Sequence, residues 1–200
     1  MALKFAVNNS LSAITSLPSS ISGGALNLIS TQTASGSASI SFTSGIDDTY
    51  DSYVFKFYDI HPASDSQNFT FQADTGTNTN YNQTITSTVF LTYHGENDST
   101  ALEYSAGFDQ AQGTAFQYIS NDVGADNDQC LVGSLKLFNP SSTTFVKHFI
   151  STTQNAEANN SSEENFTAGY FNTTNALTRV QFKFASGNID SGVIKLYGVS

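Results

Sequence analysis

The stretch YVFKFYDI, residues 53–60, decides the fold class of this chain. Aromatic and β-branched side chains dominate it, and both kinds favour strands over helices. Further along the chain, Phe182 and Phe184 alternate with the polar residues Gln181 and Lys183. This alternation is typical of a strand that has one buried face and one face in water. Both patterns predict a β-sheet protein.

Short runs of aromatic, β-branched or alternating apolar and polar residues recur from residue 37 onward. They are separated by clusters of Gly, Asn, Asp and Ser that favour turns. About ten or eleven short strands without a long helix are typical of a β-sandwich. We therefore expect an all-β chain, a β-sandwich of the jelly-roll type, in residues 37–200. The predicted strands cover residues 37–43, 53–60, 69–71, 83–93, 101–105, 115–119, 133–139, 144–152, 165–171, 177–185 and 191–199.

One predicted strand is apolar on both faces. Between Phe145 and Ile150, alternation places Phe149 on one side and Ile150 on the other. Such a strand lies in the centre of a structure or is covered by a partner.

Residues 1–36 differ from the rest, because no aromatic residue follows Phe5 and no charged residue follows Lys4 in this segment. Pro18 and the pair Gly23-Gly24 prevent a long helix. We expect an N-terminal arm that docks on the protein's own body, on a neighbouring subunit or on another partner. The alternative is that the segment supplies the first strand of the sandwich. The arm's candidate partner-binding residues are Phe5, Val7, Leu11, Ile14, Leu17, Ile21, Leu26 and Leu28.

Acidic residues outnumber basic ones 17 to 7, which gives a formal net charge of −10. This balance argues against binding to nucleic acid or to an anionic membrane, because either surface would repel the protein. The single cysteine, Cys130, excludes an intramolecular disulfide and is consistent with folding in a reducing cytoplasm. The apolar run at the N-terminus stops at Asn8, so we expect no signal peptide, and no run is long enough to span a membrane.

The sequence contains no recognisable catalytic motif. His61, His94 and His148 have no metal-ligand spacing, and no nucleophile elbow or nucleotide-binding loop is present. We expect a protein that is not an enzyme and that holds no cofactor or metal. Two acidic loops are interpreted as solvated charge, with a structural Ca²⁺ as the alternative; they contain Asp47, Asp48 and Asp51, and Asp122, Asp126 and Asp128. A carboxylate pair for glycoside hydrolysis stays open, although Trp, a favoured platform for sugars, is absent.

Long stretches of the chain resemble a family of virion structural proteins of tailed phages from marine and freshwater bacteria, including cyanophages. They are ISFTSGIDDTYDSYVFKFYDIHPASD (40–65), LFNPSSTTFVKHFIST (137–152), FKFASGNIDSGVIKLYGV (182–199), SLPSSISGGALNLISTQTAS (16–35) and FDQAQGTAFQYISNDVGADNDQ (108–129). The resemblance implies a non-enzymatic protein of the virion, assembled in the host cytoplasm, and carries no catalytic residue with it.

The role expected from this resemblance is capsid decoration: the protein would bind the outside of the shell, as a homotrimer, and stabilise it. Its partners would be further copies of itself and the major capsid protein or tail proteins of the same particle. The alternative is a tail-associated or fibre-tip module that binds glycans of the host surface. A third, an enzyme that degrades host polysaccharide, lacks any supporting motif.

Overall fold

The computed structural model describes residues 25–199 and consists of two antiparallel sheets. The all-β sandwich predicted from the sequence is thus confirmed. The strands are β1 (Leu26–Ser37), β2 (Ile40–Phe42), β3 (Ser52–Pro62), β4 (Gln67–Thr75), β5 (Ile85–Gly95), β6 (Thr100–Tyr104), β7 (Ala111–Gly113), β8 (Gln117–Val123), β9 (Leu131–Phe138), β10 (Lys147–Ala156), β11 (Ser161–Phe171), β12 (Leu177–Phe184) and β13 (Ile189–Val199).

The two sheets differ in width. The long sheet has nine strands in the order β1-β13-β3-β9-β10-β11-β5-β6, with β7 also paired to β5, and the short sheet has four strands in the order β2-β12-β4-β8. The long sheet therefore extends beyond the short one. We call the part formed by β10, β11, β5, β6 and β7 the extension; the edge strand β8 of the short sheet contacts its first two strands.

The first strand contains residues that the sequence analysis assigned to the N-terminal arm. Strand β1 pairs with β13 from Leu26 to Ser37, so residues 26–36 are an edge strand of the sandwich, as in the alternative interpretation of that segment. The predicted strand 37–43 is divided, because Gly36 adopts a φ of +57° that turns the chain before β2. Six of the predicted arm residues, Phe5 to Ile21, lie outside the described residues.

The core between the sheets is dominated by phenylalanine rings. Phe182 in β12 lies at its centre and is fully buried. Its ring contacts five others, at centroid distances of 5.1–6.2 Å: Phe42, Phe55, Phe57, Phe69 and Phe71. These neighbours come from both sheets, so one side chain joins the two layers.

Under the extension the interior becomes polar. The inward side chains of β10 after Phe149 are Ser151, Thr153 and Asn155, all buried. Asn155 Oδ1 accepts hydrogen bonds from Ser120 Oγ of β8 (2.8 Å) and from Asn165 Nδ2 of β11 (3.3 Å). Hydrogen bonds between side chains thus join the short sheet to the extension where apolar contacts end.

Replacing Phe182 by alanine should remove the contacts that join the two sheets. For a buried phenylalanine the expected loss is about 3–5 kcal/mol in the free energy of unfolding, or a fall in Tm of roughly 6–20 °C for a chain of this size. Thermal unfolding followed by circular dichroism measures this change.

The matched control is Phe145→Ala, because Phe145 is 68% exposed in the loop before β10. Its Tm should change by no more than ~2 °C, as for most surface substitutions. Equal Tm losses for both variants would contradict the central position assigned to Phe182.

Candidate interaction surface

The long sheet has one face that points away from the short sheet, and we call it the outer face. Nine large apolar side chains are exposed in residues 25–199, and eight of them lie on this face. The ninth, Phe145, lies in a loop. Single exposed apolar residues are ordinary, whereas larger exposed apolar patches are typical of interaction sites. The outer face is therefore the candidate interaction surface. The eight are Leu26, Leu28, Tyr58, Phe90, Leu102, Tyr104, Val132 and Ile150.

Strand register brings several of these side chains together on the extension. Phe90 of β5 is paired with Phe166 of β11 and with Tyr104 of β6. The rings of Phe90 and Phe166 are stacked, with centroids 4.7 Å apart and planes 11° from parallel. Stacked rings cover one another on one side only, so Phe90 is still 44% exposed. The result is an aromatic surface formed by paired residues of three neighbouring strands.

A groove of about 660 Å³ lies on the outer face beside this aromatic pair. No Asp, Glu, Lys or Arg side chain of the described chain lines it, and its walls include Thr88, Phe138, His148, Ile150, Ala168 and Tyr170. Ile150 is 53% exposed at its edge. A smaller cavity of about 170 Å³ adjoins it and shares Thr88, Ile150 and Ala168. Together the two form one largely apolar depression on the outer face.

Three of the chain's seven basic residues lie on the other half of the outer face. Lys56 of β3 and Lys195 of β13 are directly paired, and Lys136 of β9 is paired with Val54 of β3. Each ammonium group lies over an aromatic ring, at 5.7, 4.7 and 5.2 Å for Lys56–Tyr197, Lys136–Phe138 and Lys195–Tyr58. No lysine takes part in an ion pair within residues 25–199. Although the net charge of the protein is −10, this half of the outer face thus brings cationic and aromatic side chains together.

Two of the predicted arm residues lie on this surface. Leu26 and Leu28 are 41% and 57% exposed on β1. The other six lie outside the described residues. Phe90, Leu102 and Tyr104 were not predicted as surface residues, since an isolated strand pattern does not show which of its two faces is covered. For Ile150 a signal existed: its strand is apolar on both faces, and the structure covers only the Phe149 side.

The acidic loop before β3 has a structural role. Asp47 Oδ1 accepts hydrogen bonds from the backbone N–H of Thr49 (2.9 Å) and from the hydroxyl of Tyr53 (3.0 Å). The bond with Thr49 contributes most to holding the pKa of Asp47 below its ordinary value.

In residues 25–199, no three His, Cys, Asp or Glu side chains lie close enough to hold a metal.

The three histidines are separated in the structure as in the sequence. His61 Nδ1 lies 3.8 Å from a carboxylate oxygen of Asp190, His94 Nε2 lies 3.3 Å from Asp98, and His148 is on the outer face. No pair of them faces a common cavity.

One carboxyl pair is buried beneath the extension. Glu157 and Glu163 are 5% and 1% exposed, and a hydrogen bond joins them. Glu163 Oε1 also accepts a hydrogen bond from Asn165 Nδ2 (2.7 Å). Burial and the bond with Glu157 raise the pKa of Glu163 to about 8. The pair thus retains a proton at neutral pH, because two adjacent buried carboxylates repel each other.

Comparisons with known proteins do not assign the chain to a family. No family model, no curated protein and no solved structure matches the chain. No helix in the described part of the chain is long and apolar enough to cross a membrane.

The buried carboxyl pair predicts a pH-dependent stability. Between the unfolded pKa of 4.5 and the folded pKa of about 8, the folded state holds a proton that the unfolded chain has released. Through Glu163, the free energy of unfolding should therefore fall as the pH rises through this window, by roughly 2–5 kcal/mol. Urea unfolding at pH 5, 6, 7 and 8 measures it.

The variant Glu163→Gln should flatten this dependence and be more stable than the original chain at pH 8, because the amide can still donate to Glu157 without carrying a charge. Glu164→Gln is the matched control, since residue 164 points to the outer face. An unchanged slope in Glu163→Gln would disprove the shared proton.

Proposed function

We propose that the protein is a non-enzymatic structural protein of a tailed-phage particle, and that its outer face binds another protein of that particle. One observation carries the proposal: eight of the nine exposed large apolar side chains in residues 25–199 lie on this face. Within residues 25–199, no Asp, Glu, Lys or Arg side chain lines the groove of this face, which suits contact with an uncharged surface of another protein.

The strand order supports the proposal. When the eight sandwich strands β1, β2, β3, β4, β8, β9, β12 and β13 are numbered along the chain, their orders in the two sheets are 1-8-3-6 and 2-7-4-5. We infer that this is a jelly roll, in which four antiparallel strand pairs fold over into two Greek keys. Jelly rolls occur in viral capsid domains as well as in lectins. The fold is therefore compatible with the proposal, although a fold alone does not determine a function.

Within the particle we propose the role of a capsid decoration protein, present in many copies as a homotrimer on the shell. The outer face contains few charged groups besides its three lysines and Glu164. Contacts of this kind depend weakly on ionic strength, because burial of apolar surface is not screened by salt. Repetition over many copies would strengthen an interface that is modest in each copy.

A specific observation also favours the second candidate, a tail module that binds host glycans. The rings of Tyr58 and Tyr104 are 39% and 57% exposed on the outer face, and exposed aromatic rings can stack on sugars. The hydroxyl of Tyr104 donates a hydrogen bond to Asp109, which fixes its orientation. Such a module would be present in few copies and would bind host cells rather than empty shells.

Substitution at the edge of the outer face tests the leading proposal. Leu102 is 74% exposed on β6, so Leu102→Asp should fold normally. Burial of a leucine in an interface contributes about 1.5–3 kcal/mol, so the variant should bind empty capsids of the parent phage at least ~10-fold more weakly. Co-sedimentation of the purified chain with capsids, with tails and with host cells measures this binding.

Phe145→Asp is the control, because Phe145 is 68% exposed but lies in the loop before β10 rather than in a strand of the sheet. Equal binding of both variants to capsids would contradict the proposed surface. Binding to tails or host cells, but not to capsids, would favour the glycan-binding module, and release of sugar from host envelope would show an enzyme. A test of the arm should delete residues 2–24 only, since β1 begins at Leu26.

A further inference from the structure

We propose that the apolar groove of the outer face binds residues 5–21 of a second copy of this chain. The inference rests on the proposed function, because it treats the outer face as an interface, and it identifies one occupant of that face. The groove and the smaller cavity beside it lie within one copy, whereas the segment comes from its neighbour.

The chemistry of the two surfaces matches. The groove is lined by Phe138, His148, Ile150, Ala168, Tyr170 and threonines, without a Lys, Arg, Asp or Glu side chain among the described residues. The segment at residues 5–21 has no charged residue either. An uncharged occupant leaves no charge unpaired when water is displaced from the groove. The apolar side chains available to enter are Phe5, Val7, Leu11, Ile14, Leu17 and Ile21.

The position of β1 favours a second copy over the same chain. Strand β1 is at one edge of the long sheet. Strand β10, which contributes His148 and Ile150 to the groove, is four strands away. With neighbouring strands ~4.8 Å apart, this distance is about 19 Å. The five residue steps from Leu26 back to Ile21 span at most about 18 Å when fully extended. Within one copy, Ile21 therefore does not reach β10, although it can reach the groove wall formed by Phe138 of β9. Only the earlier residues of the segment could lie at the centre of the groove of their own chain.

The path within one copy is also chemically unsuitable. An arm that ran from β1 to its own groove would cross β13, β3 and β9, where Lys195, Lys56 and Lys136 lie on the outer face. The C-terminal part of the segment would then cover ammonium groups with uncharged side chains. Because β1 is an edge strand, the chain can leave the sheet toward a neighbour without crossing these lysines.

Photo-cross-linking of the full chain tests the proposal. The photoreactive residue p-benzoylphenylalanine replaces Ile150 in one tagged copy, which is co-expressed with a second copy that carries a different tag and no photoprobe. Material purified through both tags is irradiated, and the cross-linked peptides are identified by mass spectrometry. We expect a covalent dimer of about twice 21.4 kDa, in which position 150 is joined to residues 5–21 of the copy without the probe. The same probe at Phe145, off the outer face, should not label that segment.

The oligomeric state gives a second readout that does not depend on the probe. Sedimentation of Leu17→Asp combined with Ile21→Asp should show a smaller oligomer than the original chain, with an unchanged β-type circular dichroism spectrum. A monomeric original chain, a cross-link confined to one chain, or a cross-link outside residues 5–21 would overturn the proposal. None of these results affects the capsid-binding test with Leu102→Asp. The proposed function and the proposed occupant of the groove can therefore be disproved independently.

Discussion

The four-stranded sheet is too narrow to cover the nine-stranded one. The rest of the structure depends on how the uncovered part of the long sheet is stabilised. Close packing around Phe182 joins the two sheets where they overlap. Beyond the overlap, the inner face of the extension has no full layer of apolar partners. The chain fills this region with hydroxyl and amide side chains, such as Thr153 and Asn155, whose hydrogen bonds reach β8.

The composition of the chain follows from the same constraint. A polar interior built from Ser, Thr, Asn and Gln needs few charged groups, and the one carboxyl pair within it, Glu157–Glu163, keeps a proton. The outer face, by contrast, exposes aromatic and aliphatic side chains together with three lysines. This arrangement becomes favourable when a partner covers the face. The net charge of −10 thus lies mainly away from the outer face.

The sequence predicted the sandwich well, because alternation around Phe55, Phe57, Phe182 and Phe184 reports directly which strand faces are buried. It did not show that residues 26–36 pair with the last strand, since this strand lacks the alternation of a half-buried one. On the outer face, the sequence indicated Ile150, through its doubly apolar strand, and Leu26 and Leu28, as candidate partner-binding residues of the arm. The roles of Leu102 and Tyr104 depend on the pairing of β6 with β5, which is set by tertiary structure. The phage assignment rests on resemblance and remains a proposal.

The central claim is that the outer face of the long sheet is an interface. A cryo-electron microscopy reconstruction of the phage particle, at a resolution that places the strands of this chain, tests it most directly. We expect many copies on the shell, with Phe90, Leu102 and Ile150 buried against another protein and the loop at Asp47 in solvent. A reconstruction in which the outer face is open to solvent and the opposite side of the molecule makes the contacts would contradict it.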